Sequence, residues 1–370
     1  MGPKLCASLA ALVLAAAPAV AQTDPFGSLY GGGDQPSNRT GSTSVQGSAG
    51  RSYAGANSAG FQSMASLSLL PRTVAPMPLT LKAWNPKFLA GRPRIAVPSY
   101  TLALVRSGKA SAFGGGAGSE MAGRRASLTT ALVGVSDELA EKLAEEANAD
   151  LIRRLTEVGF DVVPQDQVRA HPDMARLQAL GSRARGQNGL SIYAPAAAPL
   201  VQGGPFGANA LAASKTYMVY NDLSAELDAV VLTPALAVDY QQLESSGRRT
   251  FVGSAHVGAE VRFSVLNGSG ATFLYGKRRG LGGGMGGSLA LQQPHGSGEP
   301  FGLMYEVDDR SDSVALHNAF ASAGLGSLYR QSKVYAVEVH PDRYAALVRA
   351  AFQGLNAAIV KEVRRARAAA

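Results

Sequence analysis

Residues 136–163 read SDELAEKLAEEANADLIRRLTEVGFDVV, and this stretch decides the fold. Ser136 followed by Asp137 and Glu138 supplies an N-cap and an acidic first turn, matching the positive end of a helix dipole. Leu139, Leu143, Ala147, Leu151, Leu155 and Val158 recur at three- and four-residue steps, so one apolar stripe must face a core. Arg153 and Arg154 load the last turns, and Gly159 stands where a glycine ends a helix. Phe160-Asp161-Val162-Val163 then has the length and content of a short buried strand. After Pro164 a shorter helical stretch runs to about Leu180, divided by Pro172.

Downstream the pattern changes period. Val257, Ala259, Val261, Phe263 and Val265 alternate with Gly258, Glu260, Arg262 and Ser264, which predicts an antiparallel strand with one wet face. Asn267-Gly268-Ser269-Gly270 is a hairpin turn, because Asn and Gly accept positive φ at low cost, and Ala271–Tyr275 returns. Ala229–Val238 predicts another strand, with a turn at Glu244-Ser245-Ser246-Gly247. Val334–Val339 predicts a strand covered on both faces. A last helix opens at Pro341 or Asp342, burying Tyr344, Leu347, Val348, Ala351, Leu355, Ile359 and Val363, and its end from Lys361 to Arg367 is cationic. The expected class is α+β: a mixed or mostly antiparallel sheet packed with the helix near 136–158 and the C-terminal helix. Low-complexity inserts are expected near 182–213 and 276–303 within one α/β domain spanning 94–370.

Upstream, Arg94–Val97 is the first core strand. Residues 69–93 are studded with prolines and predict an extended lead-in. Residues 22–68 are dominated by Gly, Ser, Ala, Asn and Gln, too poor in apolar area to offset the entropy of ordering, which predicts a disordered arm. Lys4, an apolar run from Leu5 to Val20 and Ala19-Val20-Ala21 have the form of a signal peptide cleaved after Ala21. That predicts export to the periplasm or the outer-membrane periphery.

The chain has 370 residues, 35 Lys plus Arg against 27 Asp plus Glu, 43 glycines and one cysteine. Glycine near 12% exceeds the usual ~7% but shows no Gly-X-Y period, excluding collagen. Cleavage would remove Cys6 and Lys4, leaving a thiol-free chain whose formal charge falls from +8 to +7. Such a chain has no disulfide, thiolate metal site or cysteine nucleophile. No later run of ~18 apolar residues predicts a membrane-spanning helix, although membrane β-strands give too weak a signal to read.

The order of amphipathic helix, Phe160–Val163 strand, polar turn with Gln165 and Val168, paired strands Val257–Tyr275 around Asn267-Gly268 and terminal helix resembles the periplasmic α/β domain of the curli-secretion channel family of envelope proteins. The resemblance implies an envelope module that oligomerises or docks. The chain lacks that family's lipobox cysteine and shows no evident pair of membrane hairpins, so no functional residue carries over.

Motifs for catalysis are missing from the sequence. There is no G-x-S-x-G elbow. Ser254 and His256 share a strand face without an orienting acid, and His171, His256, His295, His317 and His340 fall at no zinc spacing. Asp308, Asp309 and Asp312 lack the glycine and closing glutamate of a calcium loop. Gly280–Gly287 lacks the Lys-Ser/Thr ending of a P-loop. No catalytic, cofactor or metal residue is assigned. Lys277, Arg278 and Arg279, which precede the glycine run, are the expected contact for an anionic lipid or membrane surface. The basic residues do not interleave with an aromatic platform, so nucleic acid is not expected as a partner. The expected role is a non-catalytic envelope assembly or binding protein, contacting other envelope proteins or itself. A subunit of an outer-membrane secretion or pore complex and an envelope hydrolase are the alternatives.

Overall fold

The computed structural model describes residues 64–114, 124–178, 183–185, 189–196, 198, 210–247, 255–276, 284–306 and 333–369. The signal peptide, the arm up to 63 and the Lys277–Arg279 contact lie outside them. A five-residue helix, α1 (Met64–Ser68), precedes the lead-in. Edge strand β1 (Leu81–Trp84), a 3-10 turn at Pro86–Leu89 and β2 (Arg94–Ala96) follow. A long excursion comes next, through β3 (Thr101–Val105), β4 (Ser107–Gly114) and β5 (Arg124–Val133).

The decisive helix is α2 (Asp137–Glu157). Ser136 Oγ accepts the Leu139 amide, as a capping serine does, and all of Leu143, Ala147, Leu151 and Leu155 are buried. Strand β6 (Asp161–Val162), α3 (Gln165–Ala170) and α4 (Pro172–Gln178) follow, the two short helices parting at Pro172. Strands β7 (Arg183–Arg185) and β8 (Leu190–Tyr193) come next. An unforeseen helix, α5 (Ala210–Leu227), then leads into β9 (Val230–Gly247), β10 (Ala255–Val265) and β11 (Gly270–Gly276). The predicted turn at Glu244–Gly247 is therefore strand, because β9 runs on to pair with β10 as far as Gly247. The chain closes with β12 (Gly284–Leu291), β13 (His295–Ser297), β14 (Gly302–Glu306), β15 (Lys333–Val339) and α6 (Pro341–Ala368).

These elements make an α+β fold with two sheets. The larger runs β1-β12-β11-β9-β3-β8-β7, with β10, β13, β2 and β6 joined beside that path; the smaller runs β14-β15-β5-β4. Both are mixed: β3 and β2 lie parallel to β9, and β15 lies parallel to β5, among antiparallel pairs.

Helix α6 is the centre. Seventeen of its residues are buried, from Arg343 to Ala366, on more than one face, so the helix lies between layers. Its first turns face the sheets, where Tyr344 packs edge-on against Phe263 at 5.8 Å and tilted against Phe301 at 5.9 Å. Further along it meets α2. There the buried Asn356 amide donates to Ala147 O (2.9 Å) and Asp150 Oδ2 (3.0 Å), and its carbonyl accepts the Tyr100 hydroxyl at 3.3 Å. Arg349 adds a paired bond to Glu146 at 2.7 and 3.1 Å. The lead-in crosses this helix at Gly354, where any β-carbon would strike the backbone of Met77. It buries Met77, Leu81 and Leu89 against the same core.

Candidate functional site

The chain from Thr101 to Gly114 belongs to both sheets, and Arg106 is the corner where it changes over. The Arg106 amide donates to Gly189 O beside the large sheet, and its carbonyl accepts the Leu132 amide of the small one. Its guanidinium, almost fully enclosed, donates to Val135 O (2.7 Å), Tyr193 Oη (2.6 Å) and Asp137 Oδ1 (3.3 Å). Tyr193 in turn donates to Asp137 at 2.6 Å, and Arg183 reaches the other Asp137 oxygen at 3.3 Å. Desolvation pushes the Asp137 carboxyl up. The Tyr193 hydroxyl and the two guanidinium groups outweigh it and hold the group below the usual carboxylate range.

A second polar cluster lies at the bend of β9. Three steps on β10, Val261 to Ser264, span two on β9, Gln241 to Asp239, which is a β-bulge. Asp239 folds over the bend and accepts the amides of Tyr240 (2.7 Å) and Gln241 (3.2 Å). Burial raises its carboxyl to about 7, against the pull of those two amides. Tyr240 donates to Thr130 at 2.9 Å, and Thr130 bonds Gln241. Gly108 leaves room for this, because a β-carbon there would strike the Gln241 amide. The buried Tyr344 hydroxyl has no hydrogen-bond partner among the described residues, and desolvation raises its pKa, with Arg106 pulling it back and the Asp239 charge adding to the rise.

The Arg106 cluster stands where β4 begins and the Asp239 cluster where β9 leaves β3, and each hairpin continues outward as a two-stranded ribbon. From Asp239 outward to Gly247, β9 pairs with β10 alone, and β5 from Arg124 to Ser127 pairs with β4 alone. Among the described residues β4 has no partner on its outer side, and Ala255–Arg262 of β10 has none opposite β9. The sequence anticipated neither root, since their residues come from six elements with no shared spacing. The paired strands β4–β5 and β9–β10 lie outside the stretches near 182–213 and 276–303 that the sequence marks as low-complexity inserts.

One group of metal-ligand type occurs among the described residues: His171, Asp173 and Glu226. The His171 Nε2–Glu226 Oε2 distance is 2.6 Å, and the Asp173 amide points at Nδ1 from 3.3 Å. That amide requires a lone pair on Nδ1, so the ring proton sits on Nε2 and is donated to Glu226. In that arrangement the three side chains tie the start of α4 to α5. His171-x-Asp173 was the only trace of it in sequence.

A shallow groove of ≈ 510 Å³ lies where α2 and α6 end, with Val158, Ala357 and Val360 as floor and Arg154, Lys361 and Arg364 among its rim. Ser254, Asp308, Asp309, Asp312 and His317 lie outside the described residues, as does the side chain of His256. The chain matches no protein-family model, no curated protein and no solved structure.

Proposed function

We propose that the protein is an exported cell-envelope component, in the periplasm or at the outer-membrane periphery, with a non-catalytic assembly role. The carrying observation is the pair of ribbons, each anchored by polar bonds and each with one backbone edge that has no partner among the described residues. An unpaired edge is a ready template for another strand, and two per chain allow each copy to join two neighbours. The partners are then further copies of the chain or other envelope proteins. The second reading, a subunit of an outer-membrane secretion or pore complex, draws on the same observation, because a ring of paired ribbons leaves no edge open. An envelope hydrolase would need its shifted groups in a cleft. Among the described residues Tyr240 and Tyr344 lie inside the packing, and Asp239 folds onto its own backbone amides.

The test is the native mass of the protein extracted from membranes in mild detergent, with its N-terminus determined by mass spectrometry. An N-terminus at Gln22 and a mass of several copies, reduced by Ser111→Lys together with Gly258→Lys, is the expected result. A monomer with an intact N-terminus in the cytosol overturns the reading.

A further inference from the structure

The chain contains one tryptophan, and the structure places it in the open. Trp84 ends edge strand β1 and is 56% exposed. Lys82, two residues back on the same outward side of the strand, is exposed as well, while Leu81 on the other side is buried. After Trp84 the chain turns through Asn85 in the left-handed region, and Lys87 emerges exposed, its ammonium 5.3 Å from the centre of the Phe88 ring. Arg92 closes the turn and stacks 3.9 Å over Tyr275. Residues 80–93 carry these three cations and no acid, and neither β11 nor β12, the next two strands of the sheet, carries any charge.

Lysine on an edge strand has an ordinary use, which is to repel other strands. An exposed tryptophan beside it works the other way, since a large apolar ring in water gains by being covered. Tryptophan with flanking lysines is the combination that sits at a membrane–water interface, with the ring among the headgroups and the cations on phosphate. We propose that β1 and the turn after it form a contact with an anionic bilayer surface, centred on Trp84 with Lys82 and Lys87 beside it. This contact is separate from the ribbons and stands or falls without them.

The sole tryptophan makes the contact directly readable. Protein purified from cells, its N-terminus verified, is mixed with vesicles of phosphatidylcholine, with or without phosphatidylglycerol, at low and high salt. The expected result is a blue shift of the emission and protection from aqueous quencher, on phosphatidylglycerol vesicles only and reversed by salt. Lys82→Ala and Lys87→Ala should each lower vesicle affinity about fivefold, with circular dichroism and melting unchanged because both side chains are exposed. Unchanged emission while the protein co-sediments with the vesicles would place the membrane contact elsewhere and overturn the proposal. So would emission that shifts with protein concentration but not with vesicles, which would make this face an interface between copies.

Discussion

The α2–α6 layer and the ribbon roots are held in opposite ways. Between the two helices the contact is mainly apolar, with Leu143, Leu151, Leu155, Leu355 and Ile359 all buried, and it is crossed by the Asn356 bonds and the Arg349–Glu146 pair. At the roots, β4 and β5 are rich in Ser, Gly, Thr and Ala, and β9 bends at a run of polar residues, Asp239-Tyr240-Gln241. Their positions are fixed by Arg106, Asp137, Tyr193, Asp239, Tyr240 and Gln241. An apolar layer tolerates small shifts because dispersion has no direction. A hydrogen-bonded corner has one good geometry and a desolvation cost if any member is lost. In the proposed assembly the difference would hold the two ribbon edges at fixed places on an apolar body.

Substitutions should separate the two regions. Leu355→Ala opens a cavity in the helix layer and should cost about 3 kcal/mol in urea unfolding, with all probes falling together. Arg106→Met leaves Asp137 without its enclosed partner and should cost about 2 kcal/mol, reduced because Asp137 is half exposed. Limited proteolysis of that variant should cut the ribbons before the helices. Simultaneous cutting of both would show that root and core are one cooperative unit.

Asp239 makes the roots sensitive to pH. In the folded chain it keeps its proton up to about pH 7, whereas in the unfolded chain it releases it near 4. The folded state therefore binds more protons between those values, and stability falls as pH rises through that window and levels off above it. Asp239→Asn retains an acceptor for the two amides and removes the charge. It should flatten that slope and raise stability above pH 7 by about 1 kcal/mol, after allowance for the partly accessible site. Parallel slopes in the two proteins would break the argument. The last test is on the ribbons, where Ser111→Lys together with Gly258→Lys should lower the native mass.

The same contrast explains what could be read in the sequence. Helix α2 was legible because capping, periodicity and a terminal glycine all agree at Ser136, Leu139–Val158 and Gly159. Helix α6 was legible from Pro341 and its apolar stripe, and β10 from its period-two alternation. Helix α5 was not, since it follows a glycine- and alanine-rich stretch and uses Asn221 and Ser224 as buried positions, which weakens its stripe. Strand β9 was cut short because Glu244-Ser245-Ser246-Gly247 has turn composition, while pairing with β10 overrides it. The roots left no trace, because hydrogen bonds between residues as distant as Thr130 and Gln241 obey no local spacing.

Every strand of both sheets precedes α6 in the chain, yet α6 is what those sheets close upon. During synthesis the oily sides of Phe263, Phe301 and Tyr335 stay uncovered until the last helix emerges from the ribosome. The polypeptide thus carries its own delay timer, set by the moment at which α6 is complete.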